Sequence, residues 1–245
     1  MRVASALAGT LGPIVFLSVL TLAGLVRSGY DPVTTYASDL AVGETSWLQT
    51  ANFIVFGCLV ILFAAGLGGG LAGGRALRVS VMLLALTGLG LIIAGVFPTD
   101  LIGQPSTGHG AMHFVASILM FGTLDAVFFV IVVPLRQDER WAGYARYSTI
   151  TGVITGGLCL ASVAAALPAT FNNYEAGPLA AWTGLVQRAL FVVAFSWIAM
   201  VGLRLLRISR RVALPMLERW PRAQVRQSSS AGSRSTTATT SRSIT

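Results

Sequence analysis

Six runs of mainly apolar residues constrain this chain more than anything else in it, because each approaches the ~20 residues that an α-helix needs to cross a ~30 Å hydrocarbon core. They lie at roughly 5–26, 47–67, 79–97, 109–133, 148–167 and 182–206. Inside a bilayer each backbone amide must find its partner within the protein, so runs of this length fold as helices. The predicted fold class is all-α: a polytopic membrane protein, a bundle of six transmembrane helices over residues 1–208. Composition agrees, since 54% of the 245 residues are hydrophobic, 11% are charged and the mean hydropathy is +0.75, which excludes an ordinary water-soluble domain. The breaks between runs carry Asp31-Pro32, the glycines from Gly68 to Gly74, Pro98-Thr99-Asp100, and the stretch from Pro168 to Pro178. The apolar run after Arg2 lacks a small-residue cleavage site and reads as a first span that is retained.

An even number of spans places both termini on one side. All seventeen basic residues are Arg, and fifteen of them (Arg2, Arg75, Arg78, Arg136, Arg140, Arg146 and the nine from Arg204 to Arg242) fall on that side. The positive-inside rule makes it cytoplasmic and predicts a cell-membrane protein with both termini inside. The opposite face carries Asp31, Asp39, Glu44, Asp100 and Glu175. The net charge of +8 sits at loop edges and in the tail, so membrane lipid is the expected counterpart, and no nucleic-acid module is present. Trp47 and Trp182 are placed as interfacial anchors on the outer side, with Trp141, Tyr144 and Tyr147 on the inner one. Residues 209–245 read as a cytoplasmic tail expected to be disordered, first basic with interspersed apolar residues and then rich in Ser and Thr. Cys58 and Cys159 read as small buried hydrophobes, without a disulfide framework.

Polar side chains at membrane depth are costly and mark candidate sites. His109 and His113, the only histidines, share one face of a helix at i,i+4 spacing. Such a pair suits a divalent metal such as zinc, which then needs a third ligand, with Asp100 or Asp39 to hand. A general acid or base held by a carboxylate, a polar ligand-binding site and a structural hydrogen-bonded cluster remain open alternatives. Arg188, beside Gln187, lies about a turn and a half inside the last span and needs an anion, for which the outer-loop carboxylates are the nearest candidates. Arg188, His109, His113, Asp100 and Asp39 are therefore expected to meet in one outer-half cavity, roofed by the loop from Tyr30-Asp31 to Ser38-Asp39. Asp125 is too deep to join them and calls for a hydroxyl or Arg partner, while Asn52 reads as a helix-to-helix hydrogen bond. Gly66/Gly70 and Gly152/Gly156 have the spacing that lets helices pack closely within a bundle.

Three segments together resemble the domain-of-unknown-function 998 family of six-span prokaryotic membrane proteins. They are Tyr30-Asp31-Pro32 with Ser38-Asp39-Leu40, then Gly95-Val96-Phe97-Pro98-Thr99-Asp100 followed by His109 and His113, and finally Gly184-Leu185-Val186-Gln187-Arg188. The resemblance covers about residues 5–208 and implies a six-helix membrane fold without an established activity. More distantly, the chain is similar to alkaline-ceramidase-type membrane hydrolases and to six-span lipid-remodelling proteins. The first of these implies a zinc site in which His109, His113, Ser38 and Asp100 take part, although this chain lacks a third His and a seventh span. The expected function is an outer-leaflet-facing lipid hydrolase or transferase, or a lipid-binding protein. On that reading His109, His113, Asp100 and Ser38 are catalytic, and Arg188, Gln187, Asp39, Tyr30 and Asp31 bind substrate. A small transporter and a non-enzymatic assembly or regulatory subunit are the alternatives.

Overall fold

The computed structural model describes the backbone of residues 2–101, 103–171 and 179–232, with side chains from 3 to 210 except 102, 166–178 and 180. Seven helices follow in order: α1 (Arg2–Val26), α2 (Ser46–Gly70), α3 (Arg75–Val96), α4 (Gly108–Val130), α5 (Val132–Gln137), α6 (Tyr144–Phe171) and α7 (Thr183–Gly232). Short 3-10 turns occupy Ala37–Ala41, Glu139–Trp141 and Ala180–Trp182, and there is no strand among the described residues. Six spans are long and apolar enough to cross a membrane, α4 and α5 together forming the fourth at Gly108–Gln137. The protein is a multi-pass membrane protein. The fourth span breaks at Ile131 because Pro134 has no N–H to offer the carbonyl four residues back. The backbone of α7 stays helical to Gly232, beyond the end expected near 206 and into the segment expected to be disordered, while residues 233–245 lie outside the described residues.

The helices close into a ring, α1–α2–α3–α4–α6–α7 and back to α1, with α5 tucked beneath α3, α4 and α6. Its centre is aromatic. The Phe16 ring meets those of Phe53, Phe56, Phe191 and Phe195, with centroids 4.9–5.6 Å apart. Lipid supplies no hydrophobic drive between helices, so close approach has to come from shape. Glycines provide it: a Cβ at Gly57 of α2 would lie 2.5 Å from the Gly88 carbonyl oxygen of α3, and one at Gly88 would lie 2.6 Å from that of Gly57. Gly202 of α7 faces the backbone of Gly9 in α1 in the same way. Gly66 packs on Ser5, Gly70 on Leu205 and Gly152 on Phe129, so both small-residue pairs read from the sequence serve contacts inside one bundle.

One end of the ring carries residues 27–45 and 97–107 and is called the acidic end below; the other carries residues 71–74 and 138–143 and is called the arginine end. Trp47 and Trp182 at the acidic end are 66% and 52% exposed, as anchors require. Trp141 corrects the expectation for the other end. It is wholly buried, edge-on to Tyr144 at 5.5 Å, and plugs the bundle where a surface anchor was expected. Its loop is held by the Arg140–Asp138 pair at 2.6 Å and by Arg204, which donates to the Arg140 carbonyl. Cys58 is a second correction: it faces outward from α2, because an apolar span offers a thiol an apolar neighbourhood on its lipid side as well as in the core.

Replacing Gly57 by Val should lower thermal stability in detergent by about 1–3 kcal/mol, the usual cost of overpacking. Gly122→Ala, at a position with nothing within 4 Å of where a Cβ would lie, should not. Equal melting temperatures for the two variants would show that the α2–α3 contact does not depend on glycine.

Candidate functional site at the acidic end

The loop from Arg27 to Thr45 is built from its own backbone. The Asp31 carboxylate accepts from the Val33 amide at 2.9 Å and the Thr34 hydroxyl at 2.8 Å, a turn that holds its carboxyl below the ordinary range. The folded turn aims its carbonyls at the start of α7. There Leu185 N donates to Val33 O at 3.0 Å, Thr183 Oγ1 donates to Thr34 O at 2.6 Å, and Gln187 Oε1 accepts from Ala37 N at 2.6 Å. Gly184 has no room for a side chain because the Pro32 and Thr35 carbonyl oxygens occupy it.

Arg188 completes this junction. Its Nη1 donates to Pro32 O (2.8 Å), Thr35 O (3.2 Å) and Gly184 O (3.1 Å), its Nη2 donates to the Tyr30 hydroxyl, and the guanidinium lies 5.3 Å from the Tyr30 ring centroid. The expected carboxylate partner is replaced by carbonyl dipoles, which satisfy a guanidinium without cancelling its charge. Asp31 is near enough for Arg188 to draw its carboxyl down further, but the Arg140–Asp138 contact is the only ion pair among the described residues. Arg27 plays a similar part at the end of α1, donating to the Asp39 and Val42 carbonyls.

The two histidines part company. His109 is exposed and lies against the Phe97 ring at 5.6 Å. His113, one turn on, is buried, with Nδ1 2.8 Å from Phe97 O and 3.0 Å from Ala94 O. Only an N–H makes both contacts favourable, which leaves Nε2 as the lone-pair nitrogen. Asp100 accepts from the Thr107 amide at 2.8 Å and its hydroxyl at 2.7 Å, and Thr107 Oγ1 in turn accepts from Gly110 N at 3.1 Å. Asp100 therefore braces the cap of α4, and those bonds hold its carboxyl low. The proposed metal set of His109, His113 and Asp100 is not assembled, and the described residues contain no group of three or more His, Cys, Asp or Glu side chains fit to hold a metal ion. Asp100 is taken up by the helix cap, and His109 is exposed while His113 is buried. The single cavity expected around Arg188, the histidines and the carboxylates is likewise divided between two junctions.

What the acidic end does bring together is a polar layer inside the ring. Ser38 and Asp39 are both buried on the Ala37–Ala41 turn, which packs against α1, α2 and α7. Burial pushes the Asp39 carboxyl up to about 6, against the opposing pull of Arg27, and no hydrogen bond to this carboxylate is present among the described residues. On α2, Asn52 donates to Phe16 O of α1 at 3.0 Å, the helix-to-helix bond expected of it, and to Gln49 Oε1 at 3.2 Å. Gln49 is fully buried and its Nε2 has no partner. One turn below it, Phe53 meets the His113 ring edge-on at 6.4 Å. Gln49 went unnoticed in the sequence; the only signal for it was an amide in the first turn of an apolar span, three residues before Asn52.

A ring of six apolar membrane-spanning helices defines the class. Within that class, residues 10–204 match the family model described as "Protein of unknown function (DUF998)", and the chain belongs to that family. No curated protein and no solved structure matches it.

Asp39 holds its proton more readily folded than unfolded, so the stability it contributes is present below about 3.8 and is lost as pH rises through about 6. The melting temperature of Asp39→Asn relative to the native protein should therefore rise between pH 4 and pH 6; a constant difference would refute the burial. Arg188→Lys keeps the charge but not the fork that reaches several oxygens at once. Hydrogen exchange of residues 30–37 should accelerate about tenfold or more in that variant, at ~1.4 kcal/mol per decade. Unchanged exchange would show that the charge alone holds the loop.

Proposed function

We propose that this is a cell-membrane protein with its acidic end outward and both termini cytoplasmic, and that it binds the polar headgroup of an outer-leaflet lipid. The partition of fifteen Arg to one side supports the orientation. The observation that carries the binding reading is the Gln49 Nε2 donor, buried at the acidic end without a partner, at the same end of the ring as the buried Asp39 and His113 side chains. A buried polar group without a partner costs about 1–3 kcal/mol, so this orphan donor favours a ligand that offers an acceptor, such as a hydroxyl-bearing headgroup. Arg188, Gln187, Tyr30 and Asp31 serve that layer by fixing the loop above it. A hydrolase or transferase is the second reading, favoured by one feature: Nδ1 of His113 is pinned by two carbonyls, which leaves Nε2 unprotonated as a base.

Gln49→Leu removes the orphan donor while Asn52 keeps its bond to α1. Lipid co-purifying with the full-length protein, identified by mass spectrometry, should fall about tenfold, with a melting temperature unchanged or higher. Lipid retention equal to that of the native protein, or a lower melting temperature without lipid loss, would assign the layer to structure. Turnover of the bound headgroup by the native protein, abolished in His113→Gln, would select the second reading.

A further inference from the structure

Asp125 stands apart from the acidic end, seventeen residues into the fourth span. That is about 25 Å along the helix axis. Its partner is a hydroxyl, as the sequence suggested: Thr155 Oγ1 of α6 lies 2.7 Å from Oδ1. Thr155 also lies 2.9 Å from Thr151 O within its own helix, so the carboxylate commands at most one shared hydrogen. No cation pairs with it among the described residues.

The surroundings of this carboxylate are open on one side only. Toward the arginine end α4 and α6 are in contact, since a Cβ at Gly152 would lie 2.8 Å from the Phe129 ring. Toward the acidic end they offer space. Gly122, one turn before Asp125 on α4, is exposed and has nothing within 4 Å of where a Cβ would lie. A Cβ at Gly156 would come 3.5 Å from Oδ2, so the missing side chain clears that oxygen. α6 is the least covered of the six spans. Ser162 follows on the Thr155 face of α6, and its buried Oγ has no partner. Phe121 and Phe129 stand one turn either side of Asp125 on α4, Phe121 stacked on Phe191 at 5.7 Å.

We propose that the α4–α6 seam is a binding site for a lipophilic cation, an organic cation with an apolar body, entering sideways from the bilayer and pairing with Asp125 between the Phe121 and Phe129 rings. An ionised carboxylate at this depth is costly without a counter-charge. Inorganic cations do not reach it through hydrocarbon, whereas a cation that carries its own apolar surface does. Aromatic faces on both sides add cation–π attraction of the kind that recognises quaternary centres. The orphan Ser162 hydroxyl supplies a polar contact farther along the seam. This site is independent of the acidic-end layer, and either reading can fail without the other.

Equilibrium dialysis of radiolabelled tetraphenylphosphonium against the full-length protein in detergent micelles tests the proposal. Saturable binding near one per chain is expected, weakened about tenfold or more in Asp125→Asn and retained in Asp125→Glu. Gly122→Leu, which leaves the carboxylate in place but fills the opening, should also lose binding while melting like the native protein. Absence of saturable binding to the native protein overturns the proposal, and so does native-strength binding by Asp125→Asn. If Asp125→Asn does not fold, Gly122→Leu decides alone, and native-strength binding there overturns it.

Discussion

Hydrocarbon gives a polar group no partner, so every polar side chain in these spans is either met by the bundle or left over. Most are met cheaply. Thr10, Thr21, Ser80, Thr87 and Thr123 bond back to the carbonyl four residues earlier. Thr87 and Thr123 also bridge α3 to α4 at 2.9 Å, and Trp197 donates to Ser148 across α6 and α7 at 2.8 Å. Among the described residues the buried atoms left unmet are three. The Trp141 indole N–H lies under the arginine end, Gln49 Nε2 lies in the acidic-end layer, and Ser162 Oγ lies along the α6 face that holds Thr155. Gln49 shares its end of the ring with Asp39 and His113, Ser162 shares a face of α6 with Thr155, the partner of Asp125, and those two places carry the functional reading.

The ring itself was legible because its cause is local. A span is recognised from its own residues, and the breaks between spans carry the residues that end helices, so all six appeared in sequence. Asn52 and the hydroxyl partner of Asp125 were legible for a related reason, since a lone polar residue in a span nearly dictates a neighbour that can bond it. The closest helix contacts were not. Gly57 and Gly88 are unremarkable within their own spans, and their contact exists only because two glycines on different helices arrive at the same level.

The site divided along the same line. His109 and His113 do share a face of α4 in spacing, but α3 ends beside that face and its last carbonyls capture His113 while His109 stays outside. Arg188 was correctly singled out as a residue that needs an acceptor. Its acceptors include the Pro32 and Thr35 backbone oxygens, more than 150 residues away, and backbone carries no sequence signature. In a partly dry site, several converging carbonyl dipoles serve a guanidinium as well, and leave the nearby carboxylates for other work.

That arrangement sets how each region can be reached. The Ala37–Ala41 turn is buried throughout, packs against α1, α2 and α7, and is fastened to α7 through Gln187 and, by way of the loop before it, Arg188. A ligand that entered past this turn would have to lift it and break the bonds that hold Arg188. The α4–α6 seam needs no such step, because its opening faces the bilayer and its walls are an exposed α6 and a glycine. A ligand for the first region therefore works against the folding energy of the loop. A ligand for the second has only to leave the lipid, and its affinity depends on what the Asp125 carboxylate offers beyond the bond it already shares with Thr155.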